Sequence, residues 1–171
     1  MSRFEETSTA VEIVRATPEQ QPVLANLLEL YAHDFSEFSA SEINEDGRFG
    51  YPHLSLYWTE PHRHPFLIRA EGKLAGFILL QKGSRVSGDR EIWDVAEFFI
   101  LRSYRRRGIG AKAAQAVWRM FPGKWEVRVM EENSQAREFW SRAVNEFAGE
   151  PIRAAIVETG GKRWHLFSFQ S

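Results

Sequence analysis

An apolar run at residues 92–101 leads into an arginine-rich loop, and a helical pattern begins at Gly108. The run is rich in aromatic and β-branched residues, which favours a buried strand. The first turn of a helix leaves its amide groups without partners inside the helix and carries a partial positive charge. We therefore predict a strand–loop–helix unit. The strand would belong to a larger sheet, and the helix would pack on one face of that sheet.

Further patterns along the chain supply the other strands and helices. Short apolar or alternating runs with strand character lie at residues 11–15, 65–70, 74–81, 125–129, 152–157 and 164–169. The turns at residues 71–73 and 159–162 contain glycine and indicate two hairpins. Helical spacing is found from Thr17 or Pro22 to about Ala32, at 37–44, at 108–120 and after Asn133. This order predicts an α/β fold in which a mixed sheet is covered by helices.

Length and charge limit the classes of protein to be considered. A chain of 171 residues suits one domain, so we expect a flexible tail at residues 1–10 and a single domain at 11–171. The net charge of -1 argues against a general nucleic-acid binder. No apolar run has the length of a membrane span, and residues 1–10 lack the apolar core of a secretory signal. We expect a cytoplasmic protein with no membrane partner.

Cysteine and histidine usage narrows the chemistry. The chain has no cysteine, which excludes a cysteine nucleophile, a disulfide framework and a thiolate metal site. Its five histidines do not fall at a recognisable ligand spacing. We therefore predict no metal.

The arginine-rich loop at residues 102–107 has the properties of a phosphate-binding site. Gly108 and Gly110 remove side chains, which would let a diphosphate approach the backbone. Four arginines, Arg102, Arg105, Arg106 and Arg107, add donors and charge. A solvated basic loop, or a patch that touches RNA, would have the same composition. A Walker loop is excluded because no Gly-Lys-Ser/Thr follows, and the dinucleotide fingerprint lacks its third glycine.

The same residues resemble the GNAT superfamily of N-acetyltransferases. The family signature Arg/Gln-x-x-Gly-x-Gly/Ala stands here as Arg105-Arg106-Arg107-Gly108-Ile109-Gly110. A second block, Asn133, Ala136 and Phe139-Trp140, resembles the family's segment after the fifth strand. The stretch 31–58 looks like a little-studied bacterial branch. The resemblance implies a GNAT-type, mostly antiparallel sheet of about seven strands flanked by helices, with acetyl-CoA as the cosubstrate.

The resemblance also implies residues for binding acetyl-CoA. The pyrophosphate would be held by the amides around Arg107, Gly108, Ile109, Gly110 and Ala111, with Arg105 and Arg106 beside it. The pantetheine arm would pair with backbone groups near Ile100 and Arg102 in the manner of an added strand. Asn133 would contact the cosubstrate, although a simple helix cap explains it equally well.

The family mechanism implies direct attack of an amine on the thioester, assisted by a base and an acid. Glu97 and Asp94 are our candidates for the base, and each could instead be an ordinary strand carboxylate or a cap. Many family members carry a tyrosine as general acid where this chain has Trp140. Tyr104, Ser141 or water would have to replace it.

The acceptor would be a small-molecule or peptide amine. Its site would draw on the region 31–58, where Tyr31, His33, Asp34, Tyr57 and Trp58 are candidates for the walls. Acidic and aromatic groups there would suit a cationic amine. A non-catalytic acyl-CoA-binding sensor is the main alternative function. The last hairpin could pair with a second copy to form a homodimer.

Overall fold

The computed structural model describes residues 9–171. Most of the expected tail at residues 1–10 therefore lies outside the described residues. The strands are β1 (Val11–Arg15), β2 (Arg63–Ala70), β3 (Lys73–Lys82), β4 (Trp93–Ile100), β5 (Lys124–Met130), β6 (Ala155–Thr159) and β7 (Lys162–Gln170). The helices are α1 (Gln21–Phe35), α2 (Leu56–Thr59), α3 (Ile109–Met120) and α4 (Ser134–Ala148), with 3-10 turns at Pro18–Gln20 and Arg102–Tyr104.

The seven strands form one mixed sheet in the order β1-β2-β3-β4-β5-β7-β6. Every neighbouring pair is antiparallel except β4 and β5, which run parallel. Parallel neighbours need a crossover, and α3 supplies it. The fold class predicted from the sequence is confirmed, including the number of strands.

Each face of the sheet is covered by its own helices, because apolar side chains alternate along the central strands. Ile68 and Ile78 pack with α3 and α4 on one face. Leu67 and Phe77 pack with α1 and α2 on the opposite face. The α3/α4 face and the α1/α2 face are therefore separate cores on the two sides of a single sheet. None of the helices described in residues 9–171 has the length and hydropathy needed to cross a bilayer.

The connection between α1 and α2 differs from the prediction. The helix predicted at residues 37–44 does not form, and the short α2 lies later instead. The side chain of Asn44 accepts hydrogen bonds from the amides of Asp46 and Arg48, which stabilises a turn at this point. Glu29 on α1 accepts hydrogen bonds from the amides of Phe49 and Gly50 and so fastens the connection to the helix.

Both starts that the sequence allowed for the first helix are used. The 3-10 turn begins after Thr17, whose amide donates a 3.0 Å hydrogen bond to the side chain of Gln20. The α-helix then begins at Gln21, with Pro22 in its first turn, where a missing amide proton costs little.

Candidate active site

The two parallel strands separate along most of their length. Between β4 and β5 the register contains two pairs, Trp93 with Trp125 and Asp94 with Glu126. Beyond them, residues 95–100 of β4 and 127–130 of β5 are not paired with each other, so the two strands diverge and leave a wedge between them. Because the strands are parallel, their carboxyl ends meet at one edge of the sheet, and α3 and α4 both begin there. Unpaired strand backbone and two helix N-termini therefore surround one opening.

The loop into α3 ends at a glycine whose conformation and surroundings suit a close ligand. Gly108 adopts φ +73°, and a Cβ built on it would meet nothing within 4 Å. The amide of Lys112 donates to the carbonyl of Gly108, which is a first intrahelical hydrogen bond. The amides of Ile109, Gly110 and Ala111 precede it and have no acceptor within the helix. Arg106 also has positive φ, at 60°, so the turn is tight.

Gly110 also has a packing contact that the sequence did not indicate. A Cβ at this position would lie 3.1 and 3.2 Å from two ring carbons of Phe139 and 3.5 Å from Cγ1 of Ile100. The missing side chain therefore lets the first turn of α3 pack closely against α4 and the end of β4. Of the two glycines, Gly108 alone faces open space.

Two of the four arginines in the loop are fastened to α1. Asp34 accepts a 2.7 Å bond from Arg102 and a 2.6 Å bond from Arg105. Arg105 also donates from Nε to the carbonyl of Ile100 at 2.8 Å. Arg107 lies 3.4 Å from Glu71. The cationic loop is therefore pre-formed, although its charge is shared with acidic partners.

A β-bulge sets the direction of Glu97. Leu79 pairs with Glu97 and Leu80 with Val95, so Ala96 is an extra residue on β4. Val95 packs with the α3/α4 face, and Ala96 packs with the α1/α2 face. Strict alternation would return Glu97 to the α3/α4 face, but the bulge keeps it on the α1/α2 face.

Two tyrosines hold the carboxylate of Glu97. The hydroxyl of Tyr31 donates to Oε2 at 2.6 Å, and that of Tyr51 donates to Oε1 at 3.1 Å. Burial raises the pKa of Glu97, while the two hydrogen bonds and the nearby Arg85 lower it. Burial and the charge of Glu97 also raise the pKa of Tyr31, so Tyr31 remains a hydrogen-bond donor. The arrangement is a carboxylate with a raised pKa, fixed in direction beside the wedge.

The wedge, the glycine turn and the oriented carboxylate occur in a chain whose sequence matches a family model. Residues 24–144 match the model of the acetyltransferase (GNAT) family, which is more than half of the chain. The chain belongs to this family. Among curated proteins none matches the chain significantly in sequence.

Solved GNAT structures with low sequence identity share the fold. An acetyltransferase from Thermus thermophilus is 16% identical with a TM-score of 0.69, and the match covers 96% of this chain and 99% of that one. The aminoglycoside acetyltransferase AAC(6')-Ib, in complex with coenzyme A, is 13% identical with a TM-score of 0.68, covering 94% and 95%. RimL, a ribosomal L7/L12 α-N-protein acetyltransferase also in complex with coenzyme A, is 13% identical with a TM-score of 0.66, covering 95% of each chain.

Asp94 lies in a buried ionic network, on the same side of the sheet as Glu97. Its side chain has no exposed surface. Nε of Arg85 lies 3.4 Å from Oδ2, and Nε of Arg128 lies 3.7 Å from Oδ1. Burial raises the pKa of Asp94, and the two guanidinium groups lower it. Of the two carboxylates predicted as a base, Glu97 is the partly exposed one, whereas Asp94 joins β4 to β5.

Two residues of the second GNAT block have structural contacts. Asn133 accepts a 3.0 Å bond from the amide of Ala136 and so caps α4. Trp140 is 6% exposed and packs with Phe98, Trp118 and Phe139. Trp140 is therefore a core residue at the position where many GNAT proteins have a tyrosine.

The residues predicted for the acceptor walls separate into different roles. Tyr31 lines a cavity of about 330 Å³ with Phe35, Phe49 and Tyr51. The indole of Trp58 donates to the carbonyl of Ala16, Tyr57 is fully buried, and His33 is exposed. Asp34 binds the arginine loop, as described above.

Sequence reasoning missed two residues beside Glu97, namely Tyr51 and Arg85. Tyr51 lies among several other aromatic residues of an irregular stretch, and Arg85 lies in a polar loop. Only the pairing of distant segments brings either of them to β4, so no local pattern marks them.

Proposed function

We propose that the chain transfers an acetyl group from acetyl-CoA to a primary amine within a ternary complex. The observation that carries this proposal is the wedge between β4 and β5, with Gly108 at its edge and Glu97 beside it. A thioester held in the wedge would have a cosubstrate loop at one end and an oriented base near the other. Membership of the GNAT family and the coenzyme A complexes of two structural relatives support this assignment.

The residues around the wedge fit acetyl-CoA in the following way. The pyrophosphate would bind at the amides from Arg107 to Ala111, where the α3 dipole and the open space at Gly108 favour an anion. Arg106 would lie beside it. The pantetheine arm would lie along the backbone near Ile100 and Arg102. The carbonyl of Ile100 already accepts a bond from Arg105, so Arg105 would move or share this acceptor.

Glu97 would accept the proton of the attacking amine, directly or through water. A carboxylate with a raised pKa is a better base at neutral pH than an ordinary one. Tyr31 and Tyr51 would keep its oxygens fixed in direction, which reduces reorganisation during the reaction. The leaving thiolate would be protonated by water or by Tyr104 or Ser141, because Trp140 has no acidic proton to give.

The alternative is a GNAT domain that binds an acyl-CoA without turnover. The buried Trp140 favours it, because the usual acid is replaced by a packed indole. Both functions predict binding of coenzyme A, so turnover separates them.

The first test is isothermal titration of acetyl-CoA into the wild type and a Gly108→Glu variant, with ATP as a control ligand. The added carboxylate would occupy the open space at Gly108 and repel phosphate. We expect selective binding of acetyl-CoA that the variant loses, followed by release of free thiol with a panel of amines. Failure of the wild type to bind acetyl-CoA would contradict both functions, and binding without turnover of any amine would favour the sensor.

A further inference from the structure

Arg85 lies near Glu97 with most of its hydrogen-bonding capacity unused. Its Nε is 3.4 Å from Asp94, and one of its terminal nitrogens is 3.4 Å from Oε1 of Gln81. Both contacts are long for a guanidinium, which carries five N–H donors. The side chain is 36% exposed, compared with 10% for Arg128 and none for Asp94. Arg85 is therefore the member of the buried network that reaches solvent.

The partners of Arg85 are shared with other cations. Asp94 also serves Arg128, and Oε1 of Gln81 also accepts from Arg63 at 3.5 Å. Arg63 is itself paired with Glu60 at 2.6 Å. One carboxylate thus lies between Arg85 and Arg128, and one neutral amide oxygen lies between Arg85 and Arg63. Among the described residues, Arg85 therefore has no carboxylate that serves it alone.

The segment that carries Arg85 is anchored by the hydrogen bonds of the preceding residue, Ser84. The hydroxyl of Ser84 donates to Glu126 at 2.6 Å and accepts bonds from the amides of Val86 and Ser87. Ser84 and Glu126 are each 6% exposed. A loop fixed in this way presents Arg85 at a constant position and does not leave it as a freely moving surface arginine.

Arg85 and Glu97 are electrostatically coupled but are not joined. The positive charge of Arg85 lowers the pKa of Glu97 and of Tyr51 against the effect of burial. Within residues 9–171, however, the ion pair of Arg85 is made with Asp94 and not with Glu97. The two opposite charges therefore lie on the same side of the sheet, and neither neutralises the other in an ion pair. A molecule with an amine at one end and an anion at the other complements this pair.

We infer that the acceptor is a small amine that also carries a carboxylate, with the amine at Glu97 and the carboxylate on Arg85. This inference rests on the proposed transfer to an amine. A guanidinium can bind a carboxylate through two parallel hydrogen bonds, which would fix the distance and direction of the amine. Arg85 would then be a specificity-determining residue.

The test compares amino acids with their carboxamides, which keep the amine and lose the anion. Free-thiol release from acetyl-CoA gives kcat/KM for each pair, and calorimetry with CoA-loaded protein gives binding without chemistry. The variants are Arg85→Gln, Arg85→Lys and Arg90→Gln. Arg90 is exposed and lies on the same loop, so it is the matched control. Phosphoethanolamine and ethanolamine form a second pair that tests phosphate as the anion.

In the wild type we expect kcat/KM for each free amino acid to exceed that for its carboxamide by about tenfold or more. This is the effect expected for a hydrogen bond to a charged group. The preference should disappear in Arg85→Gln, persist in part in Arg85→Lys and remain in Arg90→Gln. The inference would be overturned if acids and amides had equal kcat/KM and bound equally well. It would also be overturned if the preference for acids survived in Arg85→Gln. A preference for the phosphate-bearing amine over every carboxylate would also overturn it.

The two proposals fail in different ways. If no amine releases thiol, the proposed transfer is wrong, whereas the calorimetric comparison of acid with amide still decides the role of Arg85. If amides are acetylated as well as acids, the transfer stands and the inference is wrong.

Discussion

The hydroxyl of Tyr31 donates a 2.6 Å hydrogen bond to Oε2 of Glu97, which links the middle of α1 to the bulged part of β4. Tyr51 approaches the other carboxylate oxygen from the α1–α2 connection at 3.1 Å. Both bonds stabilise the ionised carboxylate, whereas burial favours the protonated one. The pKa of the candidate base is therefore set by two segments that lie far from it in sequence.

Replacement of Glu97 by glutamine should separate activity from stability. Loss of a general base lowers turnover by about 10²–10⁴-fold. The raised pKa means that the ionised form of Glu97 opposes folding at neutral pH, and glutamine removes this cost. We expect kcat to fall while the melting temperature at pH 7 stays equal or rises. A parallel loss of activity and melting temperature would indicate a structural role instead.

Removal of the Tyr31 hydroxyl should move the pH dependence of the reaction. Tyr31→Phe deletes a donor that lowers the pKa of Glu97, so that pKa should rise further. The base is then protonated up to a higher pH, and the ascending limb of kcat/KM should shift to higher pH. Tyr51→Phe is the matched control, with a smaller shift expected from its longer 3.1 Å bond. An ascending limb that stays in place in both variants would exclude Glu97 as the titrating base.

Asp94→Asn should test the balance between burial and ion pairing. Asp94 is fully buried between Arg85 and Arg128. Burial raises its pKa by more than the two guanidinium groups lower it, so the ionised form opposes folding at neutral pH, as that of Glu97 does. We therefore expect the urea midpoint of Asp94→Asn, followed by tryptophan fluorescence, to equal or exceed that of the wild type with an unchanged m-value. A loss of about 3 kcal/mol or more, the cost of breaking a buried ion pair, would show that the ion pairs outweigh burial.

Gly110→Ala should have opposite effects on stability in two backgrounds. In the wild type the new Cβ lies 3.1 Å from the ring of Phe139, and such crowding costs about 1–3 kcal/mol. In a Phe139→Leu background the space opens, and the better helix propensity of alanine should stabilise by up to about 1 kcal/mol. A double-mutant cycle by thermal unfolding measures the difference. Additive effects would show that Gly110 is not needed for this packing.

Much of the fold could be predicted because its signals are local. Alternating apolar runs gave the strands, glycine-containing turns gave the two hairpins, and Gly108 marked the start of α3. The helix predicted at residues 37–44 does not form. Asn44 accepts hydrogen bonds from the amides of Asp46 and Arg48 in a turn, and Glu29 on α1 accepts from the amides of Phe49 and Gly50, so the chain after residue 44 is held against α1 by a contact between distant segments. Propensity alone does not contain that information.

The site could be predicted only in part. The candidate cofactor loop is one continuous motif, and Glu97 could be proposed as a base because it lies on the strand that leads to this loop. The side of the sheet that Glu97 faces depends on the extra residue Ala96, which arises from pairing with β3 and not from the sequence of β4. The hydrogen bond of Tyr51 to Glu97 and the nearby charge of Arg85 arise only from the folded arrangement of separate loops.

Asp34 should compete with the cosubstrate for the loop arginines. Asp34 binds Arg102 at 2.7 Å and Arg105 at 2.6 Å. Burial raises the pKa of Asp34, but the two arginines lower it further, so the net shift is downward. The clamp therefore stabilises the fold above the ordinary aspartate pKa of about 3.9 and is lost as the pH falls through the folded-state pKa.

Asp34→Asn tests this competition. At pH 7 we expect Asp34→Asn to lower the free energy of unfolding by less than about 1 kcal/mol, because partly exposed ion pairs are weak. At low ionic strength we expect the Kd of acetyl-CoA to fall, since Arg102 and Arg105 become free to bind phosphate and a negative charge is removed. Glu146→Gln on α4 removes the same charge away from the loop and controls for net charge. Weaker binding in Asp34→Asn would instead mean that Asp34 positions the arginines for the cosubstrate, and titration calorimetry distinguishes the two results.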